Sequence, residues 1–170
     1  MAREFTVYDR MMPTALDVLL ANIDEAYEKK GWHGTNLRGS LRGLTLEELV
    51  WRPAPGRNNI WELALHAAYW KYAVRRRLRG DKRGSFPMKG SNFFPSPRKP
   101  DDGAWRDALA VLEEQHRQLR STVATLDRKV LGDHKKLQLI YGIAAHDLYH
   151  TGQIQLLKRL QRSIGTDSAI

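Results

Sequence analysis

Three histidines carry the strongest chemical signal in this chain. His146 and His150 stand four residues apart in a strongly helical stretch, and His66 lies in another. Residues at positions i and i+4 of an α-helix lie one above the other on the same face, so two imidazoles can point at one place. A catalytic divalent metal usually takes three protein ligands and keeps one position open for water or substrate. The spacing therefore indicates a possible three-histidine metal centre, provided that His66 reaches the same point.

The composition restricts the chemistry that this chain can perform. Its 170 residues include no cysteine, which excludes disulfide bonds, cysteine-ligated zinc and a cysteine nucleophile. A metal would therefore be bound through nitrogen or oxygen. The 28 Lys and Arg residues outnumber the 19 Asp and Glu residues and give a net charge of +9. This charge would attract an anionic substrate, nucleic acid or acidic lipid.

The length and hydrophobicity predict a single domain over residues 1–170, located in the cytoplasm. A chain of this size can bury roughly 70% of the surface that it exposes when unfolded, which is enough for one core. No apolar run approaches the roughly 20 residues that a membrane span requires. Residues 1–5 also lack the apolar segment of a signal peptide. We therefore expect a cytoplasmic protein without membrane association.

Apolar residues recur at helical spacing in four long segments. The predicted helices span residues 13–30, 59–79, 101–127 and 135–162. Thr45 and Glu48 can form a capping box for an additional short helical turn. Asn58 or Asn59 can cap the second long helix, and Asp101 and Asp102 offer a cap for the third. Alternating strand patterns and solenoid-type repeats are absent from the sequence. We therefore predict an all-α fold, a four-helix bundle with a long crossover between its second and third helices.

The crossover, residues 80–100, is irregular in composition. It contains three glycines, four prolines and the aromatic residues Phe86, Phe93 and Phe94. A connection of this length inside a compact domain is usually a lid, a binding loop or a disordered linker. The sequence leaves these three possibilities open.

The three histidines fall on the apolar faces of their predicted helices. His66 lies between Leu63 and Trp70, while His146 and His150 interrupt the apolar line of the fourth helix. That line consists of Leu139, Ile143, Ile154, Leu157 and Leu160. A buried imidazole needs a partner for each ring nitrogen, and a metal ion between facing helices of a bundle would provide one. Hydrogen-bonded core histidines are the alternative that the pattern leaves open.

The other histidines are weaker candidates. His116 lies on the apolar face of the third predicted helix, where it would be either a fourth ligand or, as we favour, a core or rim histidine. His33 and His134 fall in predicted loops, which is typical of surface residues.

Two polar residues could support the histidines. Glu62 precedes His66 by one helical turn and would either orient its ring or, equally well, support the helix cap at Asn59. Gln153 follows His150 by three positions and could contact a metal ligand or a substrate. The sequence does not identify a general base.

A cluster of positive charges lies in and after the second half of the second predicted helix. It comprises Lys71, Arg75, Arg76, Arg77, Arg79, Lys82 and Arg83. Cations in the last turn of a helix are stabilised by the helix dipole and usually face solvent, which is the interpretation we favour. The alternative is a surface for nucleic acid or another anion, extended by Arg98, Lys99 and the aromatic residues Phe93 and Phe94, which could stack on bases. No recognised nucleic-acid-binding motif accompanies the cluster.

Two segments carry a family resemblance. Residues 51–62, WRPAPGRNNIWE, lead into the second predicted helix and to His66, and residues 146–154, HDLYHTGQI, contain the histidine pair. Together they resemble the DinB/YfiT-like family of bacterial four-helix metal-binding proteins. The first segment is similar to the family's turn into its second helix with its first metal histidine, and the second to its fourth-helix motif with the other two. Residues 80–100 are less typical of the family.

The resemblance implies a zinc or nickel ion at His66, His146 and His150, and commonly a homodimer. It does not imply one reaction, because characterised relatives include S-transferases that use low-molecular-weight thiols and a thiol-dependent isomerase. Since the chain has no cysteine, such a thiol would have to arrive as a cosubstrate. The family pattern assigns no role to His116.

We therefore expect a metal-dependent enzyme that acts on a small-molecule substrate, either as a thiol-dependent S-transferase or as a hydrolase. Three neutral histidines leave the ion its full charge and an open position, where a bound water can reach a pKa of about 7 or a thiol can be deprotonated. The alternative is a non-catalytic helical protein whose basic face binds nucleic acid or a protein partner, with the histidines in a structural role.

Overall fold

The computed structural model describes residues 13–84 and 86–167, which form six α-helices, one 3₁₀ helix and no β-strand. The α-helices are α1 (Ala15–Tyr27), α2 (Leu37–Ser40), α3 (Leu46–Val50), α4 (Ile60–Arg79), α5 (Asp102–Ala124) and α6 (His134–Asp167), and the 3₁₀ helix (Arg128–Gly132) precedes α6. This part of the chain is all-α, as the sequence predicts. None of its helices is both long and apolar enough to cross a membrane.

Side-chain caps determine where the helices begin. Thr45 with Glu48 at α3, and Asn59 with Glu62 at α4, form capping boxes. In each box, two backbone N–H groups that lack intrahelical acceptors are bound by side-chain oxygens. Asp101 caps α5 by accepting a hydrogen bond from a backbone N–H of the first turn. The caps that the sequence predicts at these three helices are confirmed.

Several helix boundaries differ from the predicted ones. The first predicted helix, 13–30, is too long, because the chain leaves helical geometry at Glu28, where φ is −141°. The last helix begins earlier than predicted, at His134, because Asp133 accepts hydrogen bonds from two backbone N–H groups of the first turn. The four-residue helix α2, capped by Asn36, was not predicted because it is too short to show a period.

The long helices α1, α4, α5 and α6 enclose two apolar clusters. α4 packs against α5 and α6, and α1 packs against the same two helices. One cluster includes Leu37, Leu49, Ile60, Trp61, Leu112 and Ile154, and the other includes Ile23, Val74, Leu119, Ile140 and Ile143. Because α4 and α6 are in direct contact, side chains on their facing surfaces can meet in the interior.

The apolar face of α6 continues through the predicted histidine pair. Its buried positions include 143, 147, 150, 154 and 157, so the steps alternate between four and three residues. Ile143, Ile154 and Leu157 are buried as predicted, but Leu160 is 38% exposed. The next position of the series would be 161, and Leu160 therefore lies off the core face. His150 lies on it.

The crossover between α4 and α5 packs against the helices. Phe94 is 2% exposed, and its ring centroid lies 5.9 Å from that of Tyr69. The ring of Phe86 contacts the rings of both Tyr69 and Tyr72. The described residues of this segment therefore contribute to the core. Of the three possibilities that the sequence left open, the disordered linker is wrong.

A buried ion pair joins α4 to α6. Nζ of Lys71 donates a hydrogen bond to Oδ2 of Asp147, and both side chains are almost completely inaccessible to solvent. Burial lowers the pKa of Lys71 and raises the pKa of Asp147, while the opposite charge of the partner works against both shifts. Lys71 therefore does not belong to the solvent-facing basic cluster in which the sequence placed it, because its position on α4 faces α6.

Removing one member of this pair should destabilise the fold far more than removing both. Lys71→Met leaves a buried carboxylate without a partner and should lower the free energy of unfolding by about 3 to 5 kcal/mol, whereas Lys71→Met combined with Asp147→Leu should recover most of that loss. Urea unfolding followed by circular dichroism measures both effects. Lys82→Met, at an exposed cation, is the matched control and should stay near wild type. A double variant no more stable than Lys71→Met would contradict this interpretation.

Candidate metal centre

His66 on α4 and His146 and His150 on α6 meet at one point. Nε2 of His146 lies 3.2 Å from Nε2 of His66 and 3.1 Å from Nε2 of His150. One nitrogen from each residue lies within 4.8 Å of the other two. In a tetrahedral zinc site, ligand nitrogens about 2 Å from the ion are about 3.3 Å from each other. The spacing of the three imidazoles therefore suits a shared metal ion.

Hydrogen bonds at the outer ring nitrogens orient two of the imidazoles. Nδ1 of His66 donates to the backbone carbonyl of Asn92 at 2.9 Å, and Nδ1 of His150 donates to Oε1 of Gln153 at 2.7 Å. Since a carbonyl oxygen can only accept, each neutral ring carries its proton on Nδ1 and a lone pair on Nε2. Both lone pairs therefore lie on the side where the three rings meet.

His146 differs from the other two histidines at its outer ring nitrogen. Its Nδ1 is buried and has no hydrogen-bond partner among the described residues. Its Nε2 carries at most one proton, which cannot satisfy both neighbouring Nε2 atoms fully. A divalent cation would accept all three Nε2 lone pairs at once. A donor set made only of imidazole nitrogens suits zinc, nickel, copper or iron better than magnesium or calcium.

Burial keeps the three imidazoles neutral. It lowers the pKa of His66, and it is the main cause that lowers the pKa of His146 to about 3 and the pKa of His150 to about 4. The neighbouring imidazoles add to the lowering at His146. Because only an unprotonated nitrogen binds a metal, the three rings are ready to coordinate an ion at neutral pH.

The crossover supplies the residues that hold His66. Asn92 has a φ of 69°, a left-handed conformation that asparagine adopts more readily than most residues. Its backbone carbonyl binds His66, and its side-chain Oδ1 accepts a hydrogen bond from Nε1 of Trp70 at 3.0 Å. The Phe93 ring stacks on His66 with centroids 4.0 Å apart and planes inclined by 12°. Neither Asn92 nor Phe93 was predicted at the metal centre, because an irregular segment has no period that places it against a helix.

Gln153 is the predicted supporting residue that reaches the histidines. Besides accepting the hydrogen bond from His150, it donates through Nε2 to the hydroxyl group of Tyr149 at 3.1 Å. With its oxygen toward Nδ1 of His150, the Gln153 amide directs its nitrogen to the Tyr149 hydroxyl. Tyr149 is 63% exposed and lies at the edge of the site.

Glu62 has a structural position instead. It completes the capping box with Asn59 and binds the guanidinium group of Arg52, with an Nη1 to Oε2 distance of 2.7 Å. No hydrogen bond joins Glu62 to His66 within the described residues. Of the two predicted roles of Glu62, support of the helix cap at Asn59 is confirmed. The predicted orientation of the His66 ring by Glu62 is wrong, because the backbone carbonyl of Asn92 accepts the hydrogen bond from that ring.

His116 is a core residue outside the three-histidine group. It is 3% exposed, and its ring stacks on that of Tyr27 with centroids 3.7 Å apart. Burial, followed by the positive charge of Lys71, lowers the pKa of His116 to about 3. The core interpretation of His116 is therefore correct, while His33 and His134 are exposed as expected.

A pocket of about 480 Å³, here called the histidine pocket, opens beside the three rings. Its other lining residues are Asn58, Leu63, Trp70, Asn92, Phe93, Tyr149 and Gln153. Among the described residues, the lining thus offers amides, a phenol and aromatic surface, and it includes no carboxylate, amine or guanidinium group. The described lining therefore supplies no carboxylate or amine nucleophile for a reaction here.

Several cations of the basic cluster have partners within the chain. Contacts with a neighbouring ring, carboxylate or carbonyl group are made by Arg75, Arg76, Arg77 and Arg79. These contacts agree with a structural role for the charges at the end of α4. A surface for nucleic acid or a protein partner stays a prediction.

Comparison with known proteins gives one family. The family model described as the DinB superfamily matches residues 31–154, which include all three histidines of the candidate centre. No curated protein and no solved structure matches the chain at a significant level.

Loss of the Gln153 side chain should weaken metal binding. Gln153→Ala removes the acceptor that orients His150, and such partners of a ligand typically contribute 10- to 100-fold, so we expect a loss of about that size. Gln153→Glu keeps an acceptor and should retain most of the affinity. Competition with a chromophoric chelator measures each dissociation constant. Gln155→Ala, on another face of the same helix, is the control. An equal loss of metal affinity in that variant would contradict a specific role of Gln153.

The buried His116 should make the protein sensitive to acid. Its folded-state pKa, about 3, lies below the 6.5 of an unperturbed histidine, so the unfolded chain binds more protons between these values. The contribution of His116 to the free energy of unfolding is thus fully present above about pH 6.5. It falls as the pH decreases, by at most about 1.4 kcal/mol per pH unit. In His116→Phe the fall between pH 6.5 and pH 4 should be shallower in urea-unfolding series. The plot of unfolding free energy against pH for the control variant His33→Ala should parallel that of wild type. If the plot for His116→Phe also parallels wild type, burial of His116 is not the cause of the acid sensitivity.

Proposed function

Because the chain belongs to the DinB superfamily, we propose that it is a metal-dependent enzyme in which His66, His146 and His150 bind one divalent ion, zinc or nickel. The observation that carries the proposal is the convergence of three Nε2 atoms, with the outer nitrogens of two rings bound to carbonyl acceptors. Hydrogen bonds of this kind fix the ring orientation and raise the basicity of metal ligands. The adjacent histidine pocket supports a small-molecule substrate.

The proposed reaction is a thiol-dependent S-transfer or a hydrolysis. When bound, a divalent ion with three neutral imidazole ligands keeps its full charge and an open position, and it can deprotonate a thiol or lower the pKa of a water to about 7. The chain has no cysteine, and no carboxylate is found among the described residues that line the histidine pocket. A low-molecular-weight thiol cosubstrate or water therefore supplies the nucleophile in this proposal.

The side chains around the centre have distinct tasks in the proposed reaction. Asn92 and Gln153 hold two ligand rings in place through their outer nitrogens. Phe93 covers one face of His66 and keeps water from that side. The hydroxyl of Tyr149 accepts a hydrogen bond from Gln153, which leaves its own proton to donate to a substrate oxygen. A positioned donor of this kind can stabilise charge that develops during the reaction.

Two further features belong to the proposal. The contacts of α1 and α4 with both α5 and α6 support a four-helix bundle with residues 80–100 as its crossover. Association of two copies into a homodimer is proposed from the family alone, and sedimentation of the purified chain would test it.

Metal analysis tests the proposed function directly. Protein purified without chelator should contain about one zinc or nickel ion per chain, since a structural or catalytic three-ligand site is stoichiometric. His150→Ala should lose most of the metal and remain folded, while His33→Ala should keep it, because His33 is exposed outside the group. Elemental analysis with circular dichroism measures both. A well-folded wild type that neither retains nor takes up added zinc, nickel or cobalt would falsify the proposal.

A further inference from the structure

A second pocket, here called the Arg57 groove, adjoins the histidine pocket. It has a volume of about 370 Å³ and shares Asn58, Leu63 and Gln153 with the histidine pocket. Its other lining residues are Pro53, Ala54, Arg57, Leu156 and Leu157. Because three residues line both spaces, the two pockets are direct neighbours, and together they are here called the cleft. The cleft extends from the histidines, along α6, to the turn that precedes α4.

The described lining of the Arg57 groove combines apolar side chains, the amides of Asn58 and Gln153, and one charged group. Leu156 is 57% exposed and, together with Leu157 and Pro53, offers hydrocarbon surface to a ligand. Among the residues that line the two pockets in the described chain, Arg57 alone carries a full charge at neutral pH. A ligand that extends out of the histidine pocket therefore meets apolar surface and one guanidinium group.

The turn that carries Arg57 is fixed, whereas its guanidinium group is not engaged. Arg52 donates a hydrogen bond to the backbone carbonyl of Arg57, and the same Arg52 guanidinium binds Glu62 at the start of α4. The side chain of Arg57 itself makes no hydrogen bond or ion pair within the described residues. Its planar set of N–H donors matches a carboxylate or phosphate group. The exposed guanidinium group of Arg57 is thus available to bind an anion at the groove.

We propose that the cleft binds one elongated small molecule, with a thiol head at the three histidines, an apolar body along Leu63 and Leu156, and an anionic end at Arg57. The inference rests on the proposed function, since the metal positions the head. It assigns a partner to each chemically distinct part of the cleft. It also accounts for the uncharged lining of the histidine pocket, because the only anionic group besides the thiolate lies outside that pocket.

Mercaptoalkanoic acids of increasing length test the proposal against mercaptoalkanols of equal length. Binding to the cobalt-loaded protein is followed by the thiolate-to-cobalt absorption band, with mercaptoacetate, mercaptopropionate, mercaptohexanoate and mercaptoundecanoate as acids. At the length that spans the cleft, the acid should bind about three- to tenfold more tightly than the alcohol at low salt, as a partly exposed charge-assisted contact allows. This preference should weaken as salt is added.

Variants at Arg57 identify the source of the preference. Arg57→Gln should bring the ratio of acid to alcohol affinity to about one without changing the affinity for the alcohol, whereas Arg57→Lys should retain part of it. Arg98→Gln, at an exposed arginine of the crossover, should keep the wild-type ratio. The inference is overturned if acid and alcohol bind equally at every length, or if Arg57→Gln keeps the wild-type ratio of acid to alcohol affinity. Neither result would contradict the metal centre.

The same experiment separates failure of the inference from failure of the proposed function. If cobalt binds but no thiol of either series produces the absorption band, the thiol-dependent reaction is wrong, and the inference falls with it. If sedimentation detects a dimer that Leu156→Asp dissociates, and no acid preference appears, the Arg57 groove is a contact between two copies of the chain and the inference is overturned.

Discussion

The alignment of α4 with α6 is the constraint on which the candidate metal centre depends. One candidate ligand lies on α4 and two lie on α6, so a shift of either helix by one residue, a rotation of about 100°, would separate them. The buried pair of Lys71 and Asp147 opposes such a shift, because two buried charges would lose their partners at a cost of several kcal/mol. Asp147 directly follows His146. The ion pair therefore fixes the register of α6 next to the ligand itself.

The crossover connects the core to the site through three consecutive residues. Phe94 is buried among the aromatic residues that pack on α4, Phe93 stacks on His66, and the carbonyl of Asn92 binds the same ring. A segment held in this way cannot swing away from His66 without withdrawing a buried phenylalanine from the core. This arrangement favours a site whose geometry exists before the substrate arrives, with its rings locked by packing and by outer hydrogen bonds.

Periodic features of this chain were predictable from sequence, whereas contacts between distant segments were not. The i, i+4 spacing placed His146 and His150 on one face of a helix, and capping rules located three helix starts. The sequence groups Lys71 with the solvent-facing charges because Arg75, Arg76 and Arg77 follow it on the same predicted helix. Only the position of Asp147 on another helix reveals that Lys71 is buried. The carbonyl of Asn92 is 26 residues from the ring that it binds. A backbone group in an irregular segment leaves no signature in residue types.

The division of the ligands between two helices has a consequence for folding. An ion that binds only when α4 and α6 are both formed and aligned stabilises the folded state by mass action, by about 2.7 kcal/mol at a free concentration roughly a hundred times its dissociation constant. The midpoint of thermal unfolding would then rank candidate metals by affinity before any substrate is known. Local separation of the two helices would release the ion without unfolding the rest of the chain, so the rate of metal exchange would report how often these helices part.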